Sequence, residues 1–412
     1  MNTYAIIITA IILIEFIVDN TAKYLNLKAL DAELPSEFAD VYDADTYRKS
    51  QEYTKTRTKF GFISSGVGLV SLLLFWYLGG FEYVNTLAEN WSNSFILRGL
   101  YFFGVLIVLQ QFVSLPFSIY STFVIEERFG FNKTTVKTFI IDMLKGLLLM
   151  SLIGGAVLAL ILYIFNELGE LSWLYAWGAV IVFTLIMQYI APKWIMPLFN
   201  KFKPLEDGEL KQRIIEFAEK VDFQLQDIFI MDGSKRSSKS NAFFTGFGKN
   251  KRIALFDTLV EKHTTGELVS VLAHEIGHYK RKHIVQGMFI SIIHTGVLFF
   301  LLSLFLYQDG LYEAFYMDST PIYAGFLFFS LLYSPLDTLL SIGMNMLSRK
   351  NEYEADEFAV VGRGNREDMI SALKKLSKDN LSNLTPHKWY VFMNYSHPPV
   401  IERIRAIKTT KI

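Results

Sequence analysis

The sequence predicts an all-α membrane protein of seven spanning helices, with an α/β unit inserted on one side of the bilayer. Three observations lead there. Of 412 residues, 51% are hydrophobic and only 19% are charged, below the quarter usual for soluble domains. The apolar residues gather in seven long runs. The basic residues concentrate in alternate connections between those runs.

The runs cover residues 4–18, 61–81, 99–120, 139–165, 173–195, 285–307 and 323–346. Most meet the requirement of about 20 residues for crossing about 30 Å of hydrocarbon. The first is short and carries Glu15. It lacks the basic flank and small-residue cleavage site of a signal peptide, so it reads as an anchor. The first connection holds Lys23, Lys28, Arg48, Lys49, Lys55, Arg57 and Lys59, and the third holds Arg128, Lys133 and Lys137. The fifth connection and the C-terminal tail are richer still. The even-numbered connections carry Glu82 and Glu89, Glu167 and Glu170, then Asp309, Glu313 and Asp318, with Arg98 at the mouth of the third span. The positive-inside rule therefore puts the N-terminus outside and the C-terminus in the cytosol. An odd number of crossings requires the same opposition.

Polar residues interrupt several spans: Gln110 and Gln111, Asp142 and Lys145, His294, then Pro335, Asp337 and Asn345. Exposing such groups to lipid is expensive, so they should face a bundle interior or a water-filled cavity. A transporter or channel would carry the same pattern, so the spans do not choose a function. The net charge of zero gives no electrostatic case for a nucleic-acid partner. The absence of cysteine excludes a disulfide scaffold, thiolate metal ligands and a thiol nucleophile.

These features divide the chain into residues 1–195 with five spans, a cytosolic segment 196–284, two spans in 285–347, and a cytosolic C-terminal segment 348–412. In the first cytosolic segment, residues 207–223 place Leu210, Ile214, Ile215 and Phe217 on one side of an amphipathic helix. Residues 226–231 read as a strand. A polar loop follows, then strands at 242–247 and 252–256 joined by Gly-Lys-Asn-Lys at 248–251. Thr264 and Glu267 have capping-box spacing and open a helix with Leu268, Val271, Leu272 and Ile276 on its apolar side, running to about His283. The C-terminal segment is helix-forming around 352–361 and 366–376. It ends in the loop Tyr-Ser-His-Pro-Pro at 395–399 and a short basic tail.

The chemistry concentrates in His274-Glu-Ile-Gly-His278. Residues four apart stack on one helix face, so the two imidazoles can serve one ion. Glu275 lies beside them as a general base for water. Zinc suits two neutral histidines plus a carboxylate and an open position. Glu352 and Asp356, just after the seventh span, share a helix face. One can bind the metal while the other accepts a hydrogen bond from a ligand histidine. Glu357 is a weaker competitor, Glu354 reads as a solvated residue, and His283 reads as a solvated helix end. Spans six and seven form an excursion that returns 352 to the membrane face of 274–278.

The chain resembles the type I CAAX prenyl protease family, integral-membrane zinc metallopeptidases of the gluzincin class. The matching stretches are Glu-Glu-Arg-Phe-Gly-Phe-Asn at 126–132, Pro-Leu-Phe-Asn-Lys-Phe at 197–202, Asp-Gly-Ser-Lys-Arg-Ser-Ser at 232–238, Asn-Ala-Phe-Phe at 241–244 and Lys-Arg-Ile-Ala-Leu-Phe-Asp at 251–257. The zinc motif, residues 352–359, and Ser-His-Pro-Pro at 396–399 followed by Arg403 continue the match in family order. The resemblance implies a barrel of seven helices around a water-filled chamber, closed at its cytosolic end by the zinc site. It implies that His274, His278 and Glu352 hold one zinc ion per chain, that Glu275 activates water, and that Asp356 supports a ligand histidine. It places His397 and Arg403 near the scissile peptide, and Asn241 with Ala242, Phe243 and Phe244 along the substrate. Such a substrate would add as an extended strand, and His397 would stabilise the developing oxyanion. Lys239 and Tyr279 depart from the family pattern, which more often has histidine and tryptophan there.

The expected function is zinc-dependent hydrolysis of peptide bonds near the C-terminus of CaaX-type or other membrane-associated proteins, prenylated or not. The expected setting is the bacterial cytoplasmic membrane, or the endoplasmic reticulum membrane in a eukaryote, with the lipid bilayer as partner and no nucleic acid. Nothing in the sequence indicates the oligomeric state. The competing readings are a transporter or channel with a cytosolic zinc domain, and a broad-specificity quality-control protease similar to HtpX. That shorter family usually has about four spans.

Overall fold

Seven helices of the computed structural model are long and apolar enough to cross a membrane; the structure describes residues 2–225, 227–245 and 252–412. They are α1 (Thr3–Lys28), α2 (Ala44–Tyr77), α3 (Phe95–Glu126), α4 (Val136–Glu167) and α5 (Gly169–Phe199), followed after the inserted segment by α8 (His283–Phe305) and α9 (Ile322–Arg363). The first helix runs well past the expected residue 18. Its hydropathy ends at Asp19, but Lys23 pairs with Asp19 at 2.5 Å and the helix continues to Lys28. The second span stops at Tyr77. Phe81, expected within it, belongs to a separate helix, Gly80–Trp91, whose turn depends on Gly79 at φ 76°. Each of α3, α4 and α5 contains a wider π-helical turn, at Ser121–Glu126, Met150–Gly154 and Ala191–Ile195.

Polar side chains within the spans approach one another. Glu15 of α1 accepts from Ser334 Oγ at 2.9 Å and from Thr338 Oγ1 at 3.3 Å, both on α9. His294 of α8 lies 3.3 Å from Asp337 of α9. At one end of the bundle Trp76, Phe81, Phe315 and Phe328 pack together, with the last two rings stacked 3.8 Å apart.

The segment between α5 and α8 contains β1 (Phe202–Pro204), α6 (Glu209–Lys220), β2 (Asp227–Met231), β3 (Ala242–Thr245), β4 (Arg252–Phe256) and α7 (Thr265–Lys280). The strands order as β1-β2-β4-β3. β2 and β4 are parallel and the outer pairs antiparallel. Among the described residues β3 is therefore an edge strand. The expected hairpin at 248–251, and residues 246 and 247 of the expected strand, lie outside the described residues. After α9 come α10 (Glu367–Asp379), α11 (Lys388–Asn394) and α12 (Val400–Thr409). The unit is mostly helical with one small sheet, where the sequence predicted an α/β balance, and the expected tail is the ordered helix α12.

The elements of this inserted segment share a core. Ile214 and Phe217 of α6, Ile253 and Leu255 of β4, and Leu268, Leu272 and Ile276 of α7 are buried together. The capping box forms: Glu267 N–H donates to Thr264 Oγ1, and Thr264 N–H donates to the Glu267 carboxylate. Glu267 also accepts from Ser371 and Lys375, tying α7 to α10. The loop before β3 is fastened to the membrane helices. Arg236 forks onto Asp142 of α4 at 2.7 and 3.0 Å. Lys239 Nζ donates to Tyr53 of α2 at 2.6 Å and to Glu126 of α3 at 2.9 Å.

Candidate metal centre

Two helices meet unusually closely to build the site. The 42 residues of α9 extend about 63 Å at 1.5 Å per residue, twice what a bilayer core needs. The excess carries Glu352 and Asp356 alongside α7. Gly277 permits the approach: a Cβ at that position would lie 3.1 Å from the Ala355 carbonyl and 3.2 Å from its Cα.

The expected carboxylates fall into distinct positions. Asp356, 2% exposed, accepts from His274 Nδ1 at 2.9 Å. It also takes both arms of Arg403, at 2.8 Å from Nε and 2.6 Å from Nη2. Because an ionised carboxylate only accepts, Nδ1 of His274 carries the hydrogen and Nε2 keeps its lone pair. That Nε2 lies 3.1 Å from His278 Nε2 and 3.5 Å from Glu352 Oε2, while His278 Nε2 lies 3.2 Å from Glu352 Oε1. A tetrahedral zinc ion with arms of about 2.0–2.1 Å separates its ligand atoms by roughly 3.3 Å. The three groups fit it. Glu352, 3% exposed, supports the same conclusion: its Oε2 is buried without a well-formed hydrogen bond, although Arg403 Nη1 is 3.1 Å away. Among the described residues, His274, His278 and Glu352 form the one set of such side chains arranged for a metal.

Glu275 faces the cavities beside this cluster. Desolvation there pushes its carboxyl above the usual carboxylate range, against the opposing influence of His274 and His278. For His274, burial is the largest influence and disfavours protonation, but the hydrogen bond and negative charge of Asp356 together with the charge of Glu352 outweigh it, and the net shift is upward.

A cavity of about 180 Å³ brings together Asn241, Ala242, His274, Glu275, Glu352, His397 and Arg403. His397 is largely exposed, with Nε2 3.3 Å from Glu352 Oε1 and Nδ1 3.0 Å from Ser396 Oγ. Arg403 is 9% exposed and engaged with Asp356 and Glu352. Phe244 lies apart from that cavity and lines a second one of about 310 Å³, which also reaches Glu275 and His278. Phe243 enters neither and packs edge-on against Phe256. Tyr279, one of the two departures, sits edge-on to Phe223 and tilted against Phe244.

Three expectations are corrected. His283 is 8% exposed rather than solvated, and Glu354 accepts from its Nε2 at 3.2 Å rather than standing free. The zinc-motif helix ends at Lys280, short of His283. No spacing rule in the sequence marks that break.

Removing Asp356 would leave the buried guanidinium of Arg403 without its main counter-charge. Breaking a buried pair in this way costs about 3–5 kcal/mol. Asp356→Ala is therefore expected to lower the melting temperature of the detergent-solubilised protein markedly, and a melt within about 1 °C of the unaltered protein would contradict this burial argument.

Residues 23–201 match the family described as CAAX prenyl protease N-terminal, five membrane helices, and residues 204–411 match peptidase family M48. The chain is 37% identical to CAAX prenyl protease 1 of Saccharomyces cerevisiae, over 98% of this chain and 95% of that protein. It is 34% identical to the human CAAX prenyl protease 1 homolog, over 92% of this chain and 89% of the other. A crystal structure of S. mikatae Ste24p aligns with a TM-score of 0.94 at 37% identity and covers 99% of both chains.

Proposed function

The chain belongs to the type I CAAX prenyl protease family within peptidase family M48, and from that premise we propose that this membrane zinc metalloendopeptidase cleaves near the C-terminus of membrane-associated proteins, including prenylated CaaX-type chains. The observation that carries the reading is the meeting of two cavities at Glu275. One of them adjoins the edge strand β3. The other is bordered by Phe244 of β3, Ile284 at the start of α8, and Met344 and Leu347 of α9, beside the polar groups of His278, Ser348 and Asn351. An extended peptide would pair with the free edge of β3, while an apolar group attached to it would occupy the second cavity. The names of the relatives, CAAX prenyl proteases, point to the same substrate chemistry.

Bound zinc would polarise the scissile carbonyl and acidify a water molecule. Its holders would be His274, His278 and Glu352, with Asp356 fixing the His274 tautomer. Glu275 would take the proton from the attacking water and deliver it to the departing amine. His397 Nε2 would exchange its contact with Glu352 for a hydrogen bond to the developing oxyanion. Arg403 would hold both carboxylates and add positive charge beside the reacting peptide. Asn241, Ala242 and Phe244 would contact the substrate backbone and its attached group. Phe243, on the opposite face of β3, would support the strand.

The seven helices would close as a barrel around a chamber, with Glu15, His294 and Asp337 facing inward. The working units would be residues 1–195, 196–284, 285–347 and 348–412, with the N-terminus outside and the site facing the cytosol. The membrane would be that of the endoplasmic reticulum in a eukaryote or the cytoplasmic membrane of a bacterium. Comparing matched prenylated and unprenylated peptides, with and without zinc and with products read by mass spectrometry, tests the substrate. A higher kcat/KM for the prenylated peptide is expected. Equal values would favour general cleavage of membrane-associated chains, and cleavage that persisted after zinc removal would exclude the mechanism.

A further inference from the structure

The connection between the zinc-motif helix and the sixth span is strained. Helix α7 ends at Lys280 and α8 begins at His283, with Lys282 between them at φ 61°. A residue with a Cβ is disfavoured in that left-handed conformation. The turn brings His283 back against the helix the chain has just left, with its Nδ1 3.0 Å from His278 Nδ1. On its other side, His283 Nε2 is 3.2 Å from Glu354 Oε2 of α9. Lys350 Nζ is 3.7 Å from the second oxygen of Glu354 and supplies a neighbouring positive charge.

We infer that Glu354 and His283 are positioning residues that act in series to hold His278 in the tautomer able to bind zinc. The direction of each bond follows from donor chemistry. Ionised Glu354 only accepts, so Nε2 of His283 carries the hydrogen. A neutral His283 then offers the lone pair of Nδ1, which accepts N–H from Nδ1 of His278. That leaves the lone pair of His278 Nε2 pointing at the space shared with His274 and Glu352. The two ligand histidines are thus supported differently. His274 is held by Asp356 directly, at 2.9 Å, whereas His278 reaches a carboxylate through an intervening imidazole. Such outer partners set both the orientation and the basicity of a ligand ring. The arrangement also accounts for the unfavourable Lys282 conformation, since a continuous helix would turn His283 away from His278.

This inference rests on the zinc reading of the site, and its test separates the two. Zinc affinity of the full-length solubilised protein is measured by competition with a chromophoric chelator, alongside the melting temperature of the zinc-free form. His283→Ala is expected to weaken zinc binding about 10–100-fold with little change in the zinc-free melt. His283→Gln should recover most of that loss, because its carbonyl can accept from His278 while its amide donates to Glu354. Glu354→Ala should weaken binding in the same direction and add little in the His283→Ala background. Zinc affinity of His283→Ala within twofold of the unaltered protein, or a glutamine variant no better than alanine, would overturn the inference. The control is His278→Ala. Should it keep full zinc affinity, the metal centre itself would be misassigned, whereas loss in this control alone would sink only the positioning chain.

Discussion

Replacing Glu275 with glutamine is expected to leave zinc bound and slow peptide hydrolysis by about 10²–10⁴-fold. Glutamine keeps the shape and polarity of the side chain but cannot take the proton of the attacking water. The metal cluster is made of His274, His278 and Glu352, so zinc content should stay at that of the unaltered protein. Desolvation already raises the Glu275 carboxyl above the usual carboxylate range, so its carboxylate is a stronger base than an exposed one. The check is a single preparation assayed for zinc by elemental analysis and for product by mass spectrometry. A zinc-loaded variant cleaving at the native rate would assign the base elsewhere. It would also revive the competing idea of a membrane carrier with an incidental zinc domain.

The second large effect is expected from His278→Ala, which should remove zinc and activity together. Two ligands would remain, and Glu352 would lose its 3.2 Å partner. Its carboxylate would stay buried beside Arg403, so the protein should still fold. Zinc per chain should fall from one toward none after dialysis, with no measurable turnover. Retention of stoichiometric zinc would contradict the assignment of this imidazole as a ligand.

Much of this was legible in the residues, for physical reasons that differ from place to place. The His274–His278 pair follows from helical spacing alone. Glu352 and Asp356 share a face by the same rule, although only the structure distributes their roles: Asp356 on His274 Nδ1 and Arg403, Glu352 toward both Nε2 atoms. The seven spans were visible as apolar runs, but hydropathy reports where a helix leaves hydrocarbon and not where it ends. α1 and α9 therefore extend far beyond their runs.

His283 was hidden by a different cause. On a continuous helix, a residue five positions after His278 is rotated by roughly 140° from it, so no periodicity argument would pair them. The break at Lys282 has no glycine or proline to announce it. Arg236 and Lys239 were equally opaque, since their partners Asp142, Tyr53 and Glu126 lie far away in sequence.

The most direct test of the central claim is anomalous diffraction at the zinc edge from crystals of the full-length protein. One peak per chain is predicted, within about 2.0–2.2 Å of His274 Nε2, His278 Nε2 and a Glu352 carboxylate oxygen. A peak that lies elsewhere, or that leaves Glu352 beyond bonding distance, would contradict the account.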